Sequence, residues 1–536
     1  MTIDALKRIV FWTLFALGVM VSTWWTLVVP YRPGAVLETI PENAAWVSLH
    51  RAPAARWTEW SSNGVVRAFT GAAGLDLAAV EKELATTRSR AWFNRLGGRE
   101  VAIAYVPEMP RSGAPAWVIS CWAGGYSQRL RWLFALSGVK PVSGPSSDPA
   151  HPVWRMKMTG MPSGLALSLG IREGVVVLAV SPDPLAVRSC LDAAEGAPHA
   201  LSIRKAGLEA RMRELMPNPN SADCGWLRLP GSEGEWVFKV ESLTAGRFHA
   251  TAWSKGSFPE LRRPPAAVEP AALVGLKALA EGTVEAPWSW VRSRVAARSG
   301  EWLGPLDALV REAAGTDEAK IVVGVYGGEH AARIRSLFGG GVEDFIQGLK
   351  VPTFVMALPV VDEEAAQAAA VRFLDRVNRL KPFGLVLRPA GVCYGWNVTA
   401  VEGTRGGVYK DFMPTEQAAF TVAGGWLVIG SHLGALEGLL PSISHDVKPA
   451  GPGPSPAVAL RIDGPLFSQT MGKFLAALSL VYMVSDSPSA EKGRAQITAA
   501  REWLKALGPL GVLRAECMST ASMTVVSIES ECGNRP

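Results

Sequence analysis

The stretch AFTVAGGWLVIGSHLGALEGLL, Ala419 to Leu440, decides how this chain is read. An apolar strand reaches Gly424-Gly425, a second runs from Trp426 to Ile429, and Gly430-Ser431-His432-Leu433-Gly434 opens a helix. A glycine-flanked serine beside a histidine at a strand-to-helix junction has the outline of a nucleophile elbow or a phosphate cradle. The elbow needs glycines two residues to either side of the serine, where Ser431 has Ile429 and Leu433. The stretch also has a counterpart in LALSLGIREGVVVLAVSPDPLAVRSCLDAA, Leu165 to Ala194, which reads strand, glycine turn, strand, serine, helix. Set side by side, Val180-Ser181-Pro182 meets Gly430-Ser431-His432, so serine persists while glycine and histidine do not. That pattern predicts an N-cap, the hydroxyl accepting an orphan amide of the first helical turn, with Pro182 suited to the next position.

The match extends in order along the chain. PAWVISCWAGGYSQRLRWLFALSG (Pro115 to Gly138) parallels PTFVMALPVVDEEAAQAAAVRFLDRVN (Pro352 to Asn378), and LRLPG (Leu227 to Gly231) parallels LRIDG (Leu460 to Gly464). Last, VFKVESLTAGRFHATAWS (Val237 to Ser254) and VLRAECMSTASMTVVSIE (Val512 to Glu529) are equally long and both alternate around a short turn, as hairpins do. Four ordered matches imply a tandem duplication. Module one is expected at 37–258, a Pro-rich linker at 259–269, and module two at 270–536, with a helical insert at about 465–510. Links as short as those in SLGIREGVVV and TVAGGWLV permit antiparallel pairing but not a parallel crossover. The expected class is α+β, antiparallel sheet with packed helices, made twice.

Ahead of the modules, IVFWTLFALGVMVSTWWTLVV, Ile9 to Val29, is a run of 21 residues without a charge. As a helix it would measure about 31 Å, which matches a hydrocarbon core. Trp12 at one end, with Trp24, Trp25 and Tyr31 at the other, suits an aromatic belt. Lys7 and Arg8 precede the run and Arg32 follows it. This reading predicts a cytoplasmic N-terminus at 1–8, an uncleaved transmembrane helix at 9–29, membrane contact through Ile9 to Val29, and an extracytoplasmic remainder.

The composition argues against several chemistries. A net charge of +6 is small for 536 residues and no run of five basic residues occurs, so nucleic acid is not an expected partner. The six cysteines form no CxxC pair and have no histidine at zinc spacing. The hairpin register also argues against a Cys517–Cys532 bridge. Seven scattered histidines make no HxH or HExxH. KIVVGVYGGEHAARI (Lys320 to Ile334) lacks GxGxxG spacing, and the triple glycine from Gly339 lacks a following GK[ST]. Asp362, Glu363 and Glu364 read as a helix start favoured by the dipole. Lys239 with Glu241, and Arg514 with Glu516, share strand faces, and Asn397 heads an NVT triplet inside a strand. Accordingly no catalytic, cofactor-binding or metal-binding residue is assigned, and no cofactor.

Of the 20 tryptophans, most outside the run at Ile9 to Val29 are expected in the core, with a minority marking a partner surface. PENAAWVSLHR (Pro41 to Arg51) and GVVVLAVSPDPLAV, placed after an N-terminal apolar run, resemble a group of bacterial envelope proteins carrying a domain of unknown function. The resemblance implies an extracytoplasmic α+β protein of the inner membrane and supplies no site residue. The expected role is a membrane-anchored binding or scaffold protein of the envelope with an envelope protein partner. The alternatives are a carrier of lipid or another apolar ligand, and a hydrolase whose site the sequence does not display.

Overall fold

A computed structural model describes residues 11–21, 28–72, 76–137, 141–142, 152–156, 164–197, 201–216, 222–228, 234–255, 278–299, 303–315, 318–327, 352–380, 384–393, 395–403, 417–436, 440, 456–484, 488–519 and 523–531. The expected linker and the triple glycine lie outside them. The chain divides into two compact units. Unit one comprises Met1–Ser61, Asp76–Leu243 and Ala250–Lys255; unit two comprises Ser62–Leu75, Thr244–His249 and Gly256–Pro536.

Among the described residues the first half of the chain contributes nine strands: β1 (Trp46–Arg51), β2 (Glu100–Val106), β3 (Ala116–Trp122), β4 (Val153–Met156), β5 (Ala166–Arg172), β6 (Val175–Ser181), β7 (Asp223–Arg228), β8 (Glu235–Leu243) and β9 (Arg247–Ser254). In unit one they hydrogen-bond in the order β4-β5-β6-β3-β2-β1-β7-β8, every pair antiparallel. The helix Ala186–Glu195 packs Val187 and Leu191, both fully buried, over Gly170 of β5, where no side chain stands between helix and strand.

Ten more strands belong to unit two: β10 (Ala278–Pro287), β11 (Glu318–Tyr326), β12 (Thr353–Pro359), β13 (Leu385–Cys393), β14 (Trp396–Gly403), β15 (Ala419–Ala423), β16 (Trp426–Gly430), β17 (Val458–Asp463), β18 (Val512–Ser519) and β19 (Thr524–Glu531). Their order is β13-β14-β15-β16-β12-β11-β10-β17-β18-β19, again all antiparallel. From β14 to β18 this is the strand order of unit one. The core on one face sets Leu309, Val310 and Ala313 of the helix Leu303–Ala314, with Ala366, Ala369 and Leu374 of Glu363–Leu380, against Leu358, Phe420 and Leu427. Between β17 and β18 come the helices Gly464–Val484 and Pro488–Leu507, which pack on each other. Unit two also holds the helix Gly64–Ala72, tied to the hairpin tip by Asn63, whose Nδ2 donates to the Thr244 carbonyl at 2.6 Å.

The transmembrane helix expected at 9–29 is not part of this fold. No described helix is long and apolar enough to cross a membrane. At the N-terminus the described helical residues are 11–21. Residues 1–10 and 22–27 lie outside the described residues. The physical reason for the difference is visible in the residues that follow. Val28 to Pro30 are not helical, and the Val29 side chain lies against Gly174 beside Trp122. Tyr31, read as part of an aromatic belt, instead meets Trp122 edge to face at 5.4 Å between ring centres.

The ladder also corrects the alignment of the two serines. Counted from the turns Glu173-Gly174 and Gly424-Gly425, the sixth residue is Val180 in one hairpin and Ser431 in the other. Val180 pairs with Trp117, and Ser431 donates its amide to the Phe354 carbonyl at 2.8 Å at the matching place. The sequence alignment was therefore one residue out of step, a slip that moves a strand residue to the opposite face. Gly225, at the centre of β7, is a sharper constraint: a Cβ there would fall on the Val47 carbonyl oxygen and the Phe238 ring. Gly225→Ala is expected to cost at least about 2 kcal/mol by overpacking, read as a lower urea midpoint with an unchanged slope.

Candidate functional site

Residues that sequence spacing did not single out come together at the junction of β1 and β7. Alternation along β1 puts Ser48 and His50 on one face, and the register sets His50 opposite Asp223. His50 Nδ1 lies 2.9 Å from Asp223 Oδ1, and His50 Nε2 lies 2.9 Å from Ser48 Oγ. Arg56 donates to the second Asp223 oxygen at 2.5 Å. Trp60 closes the imidazole from the side, its ring centre 4.5 Å away. This is the order of a Ser–His–Asp triad. Its surroundings are those of a structural network. Ser48 is 1% exposed, which bars a substrate carbonyl from its oxygen, and neither cleft described below is lined by any member. Asp223, 2% exposed, is a buried charge satisfied by an arginine and a histidine, as buried charges must be. The only sequence signal for the network is the spacing of Ser48 and His50; its carboxylate stands 173 residues away.

Ser431 and His432 are also in contact, Oγ to Nδ1 at 3.1 Å. The expected N-cap is not what occupies the serine: its hydroxyl accepts the Phe354 amide at 3.0 Å, extending the β12–β16 ladder by one rung. Ser181 accepts the Asp183 amide at 3.1 Å, a local turn rather than a helix cap. Asp362 does cap its helix, accepting the Glu364 amide at 2.9 Å and that of Ala365 at 3.2 Å. Lys239 and Glu241 meet at 3.7 Å on one strand face, while Arg514 reaches Glu529 at 3.9 Å. Cys517 faces Val526 across the hairpin. Burial pushes the Cys121 thiol up to about 12 and the Cys224 thiol up to about 11, so neither is a thiolate near neutral pH. Among the described residues no three His, Cys, Asp or Glu side chains converge as metal ligands.

Clefts among the described residues of unit one include two of note. The smaller, about 240 Å³, is lined by Glu42, Asn43, Leu208, Arg211, Trp226 and Arg228 among others. The larger, about 410 Å³, lies where Tyr31 and Trp122 meet Asn94, Arg95, Arg99 and Gly125. Behind its Tyr31 wall sits Glu100, 2% exposed, which accepts the Gly34 amide at 2.8 Å and the Tyr31 hydroxyl. Burial outweighs those bonds and the charges of Arg51 and Arg204, and holds the Glu100 carboxyl above its ordinary value. No known protein family, characterised protein or solved structure matches this chain.

Two outcomes test these assignments. Asp223→Ala strands His50 and Arg56, and is expected to cost about 3 kcal/mol in chemical unfolding; a fluorophosphonate probe is expected to leave Ser48 unmodified in the folded chain, and labelling there would sink the structural reading. For Glu100, a folded pKa above the unfolded one means that folding takes up a proton, so its contribution falls as pH rises through the folded value. Glu100→Gln should therefore gain on the native chain as pH climbs above 4.5, seen as diverging urea midpoints; parallel profiles would contradict it.

Proposed function

We propose that the chain works by binding, as a scaffold or accessory protein in a bacterial envelope assembly. The observation that carries this reading is the outer face of the helix Gly125–Leu136. Leu130 and Ser127 turn to the sheet and are buried, while Trp132, Leu133 and Leu136 stand 48%, 53% and 87% exposed. Three large apolar side chains within five residues cost solubility unless a partner covers them, and tryptophan is enriched where partners dock. A carrier of apolar cargo would instead show a continuous apolar cavity, and the two clefts described in unit one each present arginines. The envelope location is supported by the sequence layout that the chain shares with the envelope proteins it resembles.

Native mass spectrometry of the full chain, isolated from its own cells without detergent, separates these roles. A protein complex that Trp132→Ser with Leu136→Ser dissolves, at a folding stability unchanged within the roughly 0.5 kcal/mol typical of surface substitutions, is the expected result. A reproducible mass excess released by solvent as lipid would replace the scaffold with a carrier.

A further inference from the structure

Each of the two clefts in unit one presents a pair of arginines, but the pairs differ in their charge balance. In the smaller cleft both are used up: Arg211 and Arg228 donate to the Glu235 carboxylate at 2.8 and 2.9 Å. Burial works against the charge of Glu235, yet hydrogen bonds from Arg228 and Arg211 hold its carboxyl below its ordinary value. In the larger cleft Arg95 and Arg99 have no carboxylate partner among the described residues. Glu100, next in sequence to Arg99, does not serve: it is buried and committed to the Gly34 amide and the Tyr31 hydroxyl.

Aromatic rings hold both guanidiniums instead. Arg95 lies 4.6 Å from the centre of the Tyr126 ring and donates to the Tyr126 hydroxyl at 3.0 Å. Arg99 lies 5.2 Å from the centre of the Tyr31 ring. Stacking engages the face of a guanidinium and leaves in-plane N–H donors available, in the fork geometry that matches phosphate oxygens. Asn94 lines the same cleft, and among the described residues no Asp or Glu does. Two positive charges around a concavity of about 410 Å³, with no carboxylate partner among the described residues, make a site for a dianion rather than a structural ion pair.

We propose that this cleft binds the phosphate group of a phosphate-bearing ligand, with Arg95 and Arg99 as its two clamps. Such binding is independent of what covers Trp132, and it survives if the scaffold reading fails.

The test uses the full purified chain, titrated calorimetrically with inorganic phosphate and, separately, sedimented with phosphatidylcholine vesicles made with or without phosphatidic acid. The native chain is expected to bind saturably, and Arg95→Gln with Arg99→Gln to weaken binding by tenfold or more, about 1.4 kcal/mol or above. The same pair changed to lysine should keep part of the affinity, since charge remains while the fork is lost. Arg211→Gln with Arg228→Gln, in the neutralised cleft, should leave it unchanged. Binding of free phosphate points to a soluble ligand, binding of phosphatidic acid vesicles alone to a lipid headgroup, and either upholds the site. Failure to bind both, or an equal loss in the Arg211/Arg228 variant, overturns it.

Discussion

The ladder between Trp46–His50 and Asp223–Leu227 is the contact on which unit one depends. Without it the strand order falls into two pieces, β4 to β1 on one side and β7 with β8 on the other. The ladder joins residues that are 173 positions apart, so loop closure must be offset by what the junction buries. Part of that is Trp226, 2% exposed, and Cys224, 3%. The rest is the Ser48–His50–Asp223–Arg56 chain, which gives every buried polar atom of Asp223 a partner and penalises a shifted register by leaving charges stranded. Gly225 enforces the same register from the other side, since only a residue without Cβ fits beneath Phe238.

Unit two reaches the same strand order with a different chemistry at that place. β10 carries no serine or histidine anywhere from Ala278 to Pro287, and Ala286 with Ala457 packs beneath Trp290 instead. A polar network and an apolar contact thus serve one topological junction. Replacing a buried ionic set by well-packed apolar groups is often energetically neutral, and the two units are consistent with that. By the same logic, distinctive properties of the chain sit outside the common frame: in the cleft of Arg95 and Arg99 and on the outer face of the helix that begins at Gly125.

Local structure was legible from the residues wherever period and turn agreed. The alternation on either side of Glu173-Gly174 and of Gly424-Gly425 gave both hairpins, and Asp362 was readable as a helix start. Trp122, Trp226, Trp253 and Trp288 lie in the core, as bulk and context suggest, while Trp117, Trp132 and Trp503 are exposed, which no local feature distinguishes. Register was harder. Aligning Ser181 with Ser431 by letter ignored the two-residue turns, and the error of one position exchanged a buried hydroxyl for a ladder-extending one. The apolar run ending at Val29 misled for a related reason: hydropathy does not say which apolar residues a folded domain will claim, and Val29 and Tyr31 are claimed by Gly174 and Trp122. The candidate sites were the least legible, because Asp223 meets His50, and Tyr126 meets Arg95, only once distant strands and helices have assembled.

The long reach from β1 to β7 has a consequence during synthesis. A ribosome adding about 5–20 residues each second needs roughly 10–35 s to move from His50 to Asp223. Once β2 has emerged β1 can pair with it, but until β7 follows the other edge of β1 has no partner of its own and exposes a row of unmet amides and carbonyls. The sheet therefore grows outward from β1 in one direction first, through β2, β3 and β6, and closes on the other side only after β7 emerges. Ser48 and His50 project from one face of the strand while its edge waits. Two polar side chains on that face make the waiting strand a poorer template for adhesion than an apolar pair would be, so the network that completes the native junction also guards the nascent chain.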